Sequence, residues 1–147
     1  MTSFDVTFIY GFLFQVKHWL EGVAIPGFTK KIVLEQLTKL LQQSTETRYL
    51  VLGYLCTYAN HTLDAVLLDI LTLLDFELTY PINVWLCKEF LLNSYSGEES
   101  HKAAIKALGK WDTVETRQIL YTYLKEYAYD YLAVMAKKAL KGELVEN

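Results

Sequence analysis

Few residues of this chain stand at spacings that support covalent or metal chemistry. Residues 22–30, Gly22-Val23-Ala24-Ile25-Pro26-Gly27-Phe28-Thr29-Lys30, have the glycine spacing of a phosphate-binding loop. Such a loop needs a lysine and a hydroxyl residue directly after its last glycine, to reach the phosphates and their magnesium ion. Phe28 stands in place of the lysine, ahead of Thr29, and Pro26 removes one amide from the cradle. His18, His61 and His101 fall in separate segments, with no H-E-x-x-H and no i, i+4 partner that would aim two imidazoles at one zinc ion. Cys56 and Cys87 are isolated in apolar surroundings, without a C-x-x-C pair or a neighbouring base. No G-x-S-x-G motif occurs. The adjacent carboxylates Glu98-Glu99 follow Ser96-Gly97 in a helix-start pattern, where the macrodipole explains their charge. The reading is of a non-enzyme with no catalytic residue, no cofactor and no metal site.

The residues that remain are those of recognition. Glu46-Thr47-Arg48-Tyr49-Leu50-Val51-Leu52-Gly53-Tyr54-Leu55-Cys56-Thr57-Tyr58-Ala59 returns as Glu115-Thr116-Arg117-Gln118-Ile119-Leu120-Tyr121-Thr122-Tyr123-Leu124-Lys125-Glu126-Tyr127-Ala128, at a fixed offset of 69 positions (115 − 46). The identities are Glu46/Glu115, Thr47/Thr116, Arg48/Arg117, Tyr54/Tyr123, Leu55/Leu124, Tyr58/Tyr127 and Ala59/Ala128, half of the window. Self-similarity of this kind marks a repeat protein.

The elements that carry this echo follow from periodicity and breakers. With 147 residues and 52% apolar content the chain forms one domain, 1–147, with ample material for a core. The aromatic and β-branched run 8–16 fits helix or strand by pattern alone, and a terminal helix is expected, capping the first repeat over about 1–25. Pro26-Gly27 ends it. A helix near 29–43 then places Val33, Leu37, Leu40 and Leu41 on one face, and Ser44-Thr45 opens the next. A third helix near 63–75 has Val66, Leu67, Ile70, Leu71 and Leu74 around so much of its circumference that it reads as central. Pro81 suits the first turn of a helix over 80–93, and its start lies 34 positions after Glu46 and 35 before Glu115. The repeat is therefore a helix pair of about half the offset: 28–59, 61–94 and 97–128, followed by a C-terminal helix over 130–142. Ser96-Gly97-Glu98-Glu99 reads as a capping box, Asp112-x-x-Glu115 as a weaker one, and Gly142 as the last stop.

Lys102-Ala103-Ala104-Ile105-Lys106-Ala107-Leu108-Gly109-Lys110-Trp111-Asp112, followed by Ile119-Leu120 and Leu124, resembles a HEAT-type repeat. The segment 130–142, with Ala133, Ala136, Ala139 and Leu140, resembles the first helix of a further unit. The resemblance implies an all-α, right-handed α-α superhelix of about seven to eight short helices. It also implies a non-catalytic scaffold that holds another protein on a concave surface lined by the second helices of its pairs, here those starting at Glu46, Tyr80 and Glu115. Arg48, Tyr49, Trp85, Arg117 and Tyr121 are the candidate partner-binding residues on those helices, because tyrosine, tryptophan and arginine are enriched at interface hot spots. The competing reading is structural: a tyrosine at helical spacing is more often core, and Asp112 is a ready partner for Arg117.

Charge narrows the partner. A net charge of −3 argues against a protein built to neutralise phosphates, and Asp64, Asp69, Asp75, Glu77 and Glu89 against Lys88 make the middle of the chain repel nucleic acid. The lysines of 100–141 could still form a local basic patch. A HEAT-like DNA-binding protein or base-excision glycosylase, and a small inhibitor such as a bacterial toxin immunity protein, are the functional alternatives. The run 8–16 is too short to span a bilayer and no leader pattern surrounds it, so a cytoplasmic protein without membrane insertion is expected.

Overall fold

A computed structural model describes residues 3–58, 64–92, 97–126 and 131–143. Within them the chain is all-helical: α1 (Ser3–Leu20), α2 (Lys30–Gln43), α3 (Thr45–Tyr58), α4 (Asp64–Leu73), α5 (Phe76–Thr79), α6 (Ile82–Leu92), α7 (Glu98–Trp111), α8 (Val114–Glu126) and α9 (Tyr131–Leu140), with no strand among the described residues.

The ambiguous N-terminal run is a helix because its burial repeats at Ile9, Leu13 and Val16, spacings of four and three that put one helical face on the core. It ends earlier than Pro26-Gly27. Gly22 takes the left-handed conformation (φ 95°), its N–H bonds Trp19 O at 3.0 Å, and the Val23 N–H bonds His18 O at 3.1 Å. This pair of hydrogen bonds is the glycine stop that sequence reasoning assigned only to Gly142. At Gly142 (φ 71°) the same pair closes α9, from Gly142 N–H to Ala139 O at 3.2 Å and from Glu143 N–H to Lys138 O at 2.8 Å.

Helix α2 starts as its cap dictates, with the Thr29 hydroxyl accepting the Ile32 N–H at 3.2 Å. It buries Val33, Leu37 and Leu41, while Leu40 packs at the edge of the core. Three expectations need correction. Nine helices are described rather than seven or eight, because Asp75 caps the single turn α5 by accepting the Glu77 N–H at 3.1 Å. Asn83, fully buried, then fixes α6 to that turn through Thr79 Oγ1 at 2.8 Å and Phe76 O at 3.2 Å. The central helix is α7, which packs on α4, α6, α8 and α9; α4 leaves Val66 38% exposed.

The third correction concerns caps. Helix α7 starts at Glu98 behind Gly97, whose position makes no side-chain cap; Ser96 lies outside the described residues. Glu98 and Glu99 instead pair with Lys102 at 3.6 and 3.5 Å. Asp112 does not open α8. It closes α7 in the left-handed region (φ 48°), with its N–H on Leu108 O at 3.1 Å, and Thr113 opens α8.

Small residues set the spacing of the last helices. A Cβ on Gly109 would lie 2.8 Å from Ala139 Cβ, so α7 and α9 touch backbone to backbone at that level. Helix α9 buries Leu132, Ala133, Ala136 and Ala139 there, and Ala104, Ala107 and Leu108 of α7 are fully buried. At the other end of the chain α1 packs on α3, and α2 on α3 and α5.

Candidate partner-binding surface

The echoed trio begins with a helix cap. At α3, Ser44 Oγ accepts the Thr47 N–H at 3.0 Å and donates to Thr47 Oγ1 at 3.0 Å, while Ser44 O accepts the first helical amide, that of Arg48. At α8, Thr113 Oγ1 accepts the Thr116 N–H at 3.1 Å, and Thr116 Oγ1 accepts the Thr113 N–H at 2.8 Å. The second arrangement is a capping box with threonine in the place usually held by Glu or Gln. Thr47 and Thr116 are both fully buried, which explains why a short hydroxyl side chain recurs at that position.

The arginines that follow also have intramolecular employment. Arg48 Nε donates to Leu41 O, in the last turn of α2, at 3.1 Å. Arg117 Nη1 donates to Leu140 O, the last residue of α9, at 3.0 Å, and to Asp112 Oδ1 at 2.9 Å. Both guanidiniums thus satisfy carbonyls that a helix end leaves orphaned, at the negative pole of its dipole. The Asp112 carboxylate first, and then a side-chain hydrogen bond with Tyr121, push the Arg117 guanidinium still higher than its ordinary value. The pairing of Arg117 with Asp112 is the one anticipated from sequence.

The aromatic candidates behave differently. Tyr49 is 55% exposed, and Trp85 and Tyr121 are each 51% exposed. Trp85 and Tyr121 lie on helices that pack on each other, α6 and α8, whose starts are joined by a hydrogen bond from Tyr80 Oη to Glu115 Oε1 at 2.8 Å. That bond raises the Tyr80 phenol above its usual value, and sequence reasoning missed it. The 35-position spacing of the two helix starts was its trace. Tyr49 stands apart, because α3 packs on α1, α2 and α5. Of the other tyrosines on these helices, Tyr123 is fully buried against the His101 ring and Tyr54 is half-buried beside Tyr10; the side chains of Tyr58 and Tyr127 lie outside the described residues.

Nothing reactive gathers elsewhere in the described residues. Burial pushes the Cys56 thiol up to about 11 and the Cys87 thiol further up, so neither is a thiolate at neutral pH. No group of three or more His, Cys, Asp or Glu that could hold a metal ion occurs among them, and none of their helices is long and apolar enough to cross a membrane. The residues of the glycine-spaced loop line an open cleft of about 560 Å³ between α1 and α4, walled by Trp19, Ile25, Phe28, Val66 and Ile70. Its lining is chiefly apolar, and the Phe28 ring lies tilted against Phe12 at 5.8 Å. No family model, no curated protein and no solved structure matches this chain.

Proposed function

We propose that the protein is a non-enzymatic binding module that holds a protein partner on the outer face of α6 and α8, with Trp85 and Tyr121 as its anchors. The observation that carries this reading is the half-exposed tryptophan and tyrosine on two mutually packed helices. Large rigid aromatics left in water on adjacent elements are the usual anchors of an interface. Arg117 ties α8 to α9 and Arg48 ties α3 to α2, both within the fold, while Tyr49 forms a separate, lesser contact. The architecture we infer is a HEAT-like, right-handed stack of helix pairs. Supporting it, the first helices α4, α7 and α9 pack in succession, and the second helices α6 and α8 do likewise. Helices α2 and α3 form a pair that joins the stack through α5.

Photo-crosslinking in the native cell tests the surface. A benzophenone amino acid at position 85 or 121 should capture one and the same protein, whereas the same group at Lys39, exposed on α2, should not. Equal capture from all three positions, or none from 85 and 121, would remove the interface from α6 and α8.

A further inference from the structure

We infer that the opposite layer, the outer face of α7 and α9, docks on an anionic lipid surface. The two helices run parallel. Lys102 Nζ lies 5.6 Å from the centre of the Tyr131 ring near both helix starts, and Gly109 meets Ala139 near both ends. The solvent side of α7 is the line Lys102, Lys106, Lys110, at i, i+4 and i+8, and beside it α9 presents Tyr131, Val134 and Lys138 at i, i+3 and i+7. Lys137 and Lys141 extend the exposed side of α9.

Of the nearby carboxylates, Glu98 and Glu99 are taken by Lys102 and Asp112 by Arg117, and Glu143 is exposed just beyond α9; among the described residues no carboxylate pairs with Lys106, Lys137, Lys138 or Lys141. Lys110 reaches the neighbouring α4, where its Nζ donates to Thr72 O at 2.9 Å beside Leu73, which is 45% exposed. A chain of net charge −3 therefore gathers lysines on one pair of helices. The macrodipole accounts for Lys137, Lys138 and Lys141 at the negative end of α9, but not for Lys106 in the middle of α7. Nor does it account for Tyr131 and Val134, each 52% exposed among the lysines.

The mixture selects the partner. Lysines that snorkel to the headgroups, with a tyrosine and aliphatic side chains entering between them, fit a lipid interface. A nucleic-acid face would favour arginine forks and stacking rings over valine and leucine.

Co-sedimentation with vesicles decides it. The protein should pellet with vesicles of about 70% phosphatidylcholine and 30% phosphatidylserine at low salt, and stay in solution with pure phosphatidylcholine or at about 1 M salt, where screening shortens to about 3 Å. The double variant Lys106→Gln/Lys138→Gln should bind about 25-fold more weakly, about fivefold for each lysine. Val134→Asp should weaken binding at constant lysine number, and the control Lys30→Gln/Lys39→Gln on α2 should bind within about twofold of the parent, because those lysines lie on no such face. Circular dichroism confirms that each variant is folded. Equal pelleting with pure phosphatidylcholine, full binding by Lys106→Gln/Lys138→Gln, or binding of duplex DNA or RNA through these lysines without vesicle binding would each overturn the inference.

Discussion

Helix α3 opens with Ser44, Thr47 and Arg48, and α8 opens, 69 positions later, with Thr113, Thr116 and Arg117. In both, a hydroxyl serves the first free amides and a buried threonine closes the cap. Beyond that the two starts diverge. Arg48 ties α3 back to the helix before it, through Leu41 O, whereas Arg117 ties α8 forward to α9, through Leu140 O. The position that precedes each cap is Gln43 in one case and Asp112 in the other, and only the aspartate offers a carboxylate to hold the guanidinium toward α9. The difference teaches that the motif specifies where a helix begins, while the neighbouring helices decide what its arginine holds together. It also sets the two ends of the chain apart: α7 and α9 meet by close backbone contact at Gly109, and α3 meets α1 through side chains such as Tyr54 against Tyr10.

The largest effect expected from this contrast is in the core. Leu108→Ala, on the helix that touches four others, should destabilise by about 3 to 5 kcal/mol, because its neighbours cannot collapse into the space. Leu55→Ala on α3, where the side chain is 6% exposed rather than fully buried, should cost about 2 kcal/mol. Equal shifts in chemical denaturation would erase the distinction between the two ends.

Glycine substitutions should then differ in sign. Gly109→Ala places a methyl 2.8 Å from the fixed Ala139 Cβ and should destabilise by about 1 to 3 kcal/mol as α7 and α9 move apart. Gly53→Ala, in an open stretch of α3, should stabilise by about 0.5 to 1 kcal/mol from helix propensity alone. Thermal melts of both variants check this, and a stabilised Gly109→Ala would refute the close approach. A smaller effect separates the arginines: Arg117→Met and Arg48→Met should each lower the melting temperature slightly through a lost charged hydrogen bond. Only the former should speed hydrogen exchange in α9. Unchanged exchange there would show that Leu140 O does not depend on Arg117.

Much of the scaffold could be read from residue order, and the failures have physical causes. The 3–4 spacing of apolar residues, the stop at Gly142 and the pairing of Arg117 with Asp112 all act within a few positions or one motif. Helix α5 escaped because four residues make a single turn, too short for any period. Asp112 reads as an N-cap in the sequence because an aspartate in the left-handed region closes a helix with the same residue type that opens one. Tyr121 and Tyr123 are two positions apart in sequence, yet one is half-exposed and the other fully buried, which only the placement of α7 and α9 decides. The lysines of 100–141 are legible as material for a basic patch, but which of them share one face is set only when α7 and α9 lie side by side. Each lysine alone is an ordinary surface residue.

The central claim divides the recognition residues into outward anchors and inward ties, and one comparison tests it directly. Capture from the native cell should be measured for Trp85→Ala/Tyr121→Ala and for Arg48→Met/Arg117→Met, alongside the melting temperature of each. The aromatic variant should melt like the parent and bind its partner about tenfold more weakly or worse, and the arginine variant should melt lower and keep its partner. An arginine variant that loses the partner at parental stability, with full binding by the aromatic variant, would contradict the account.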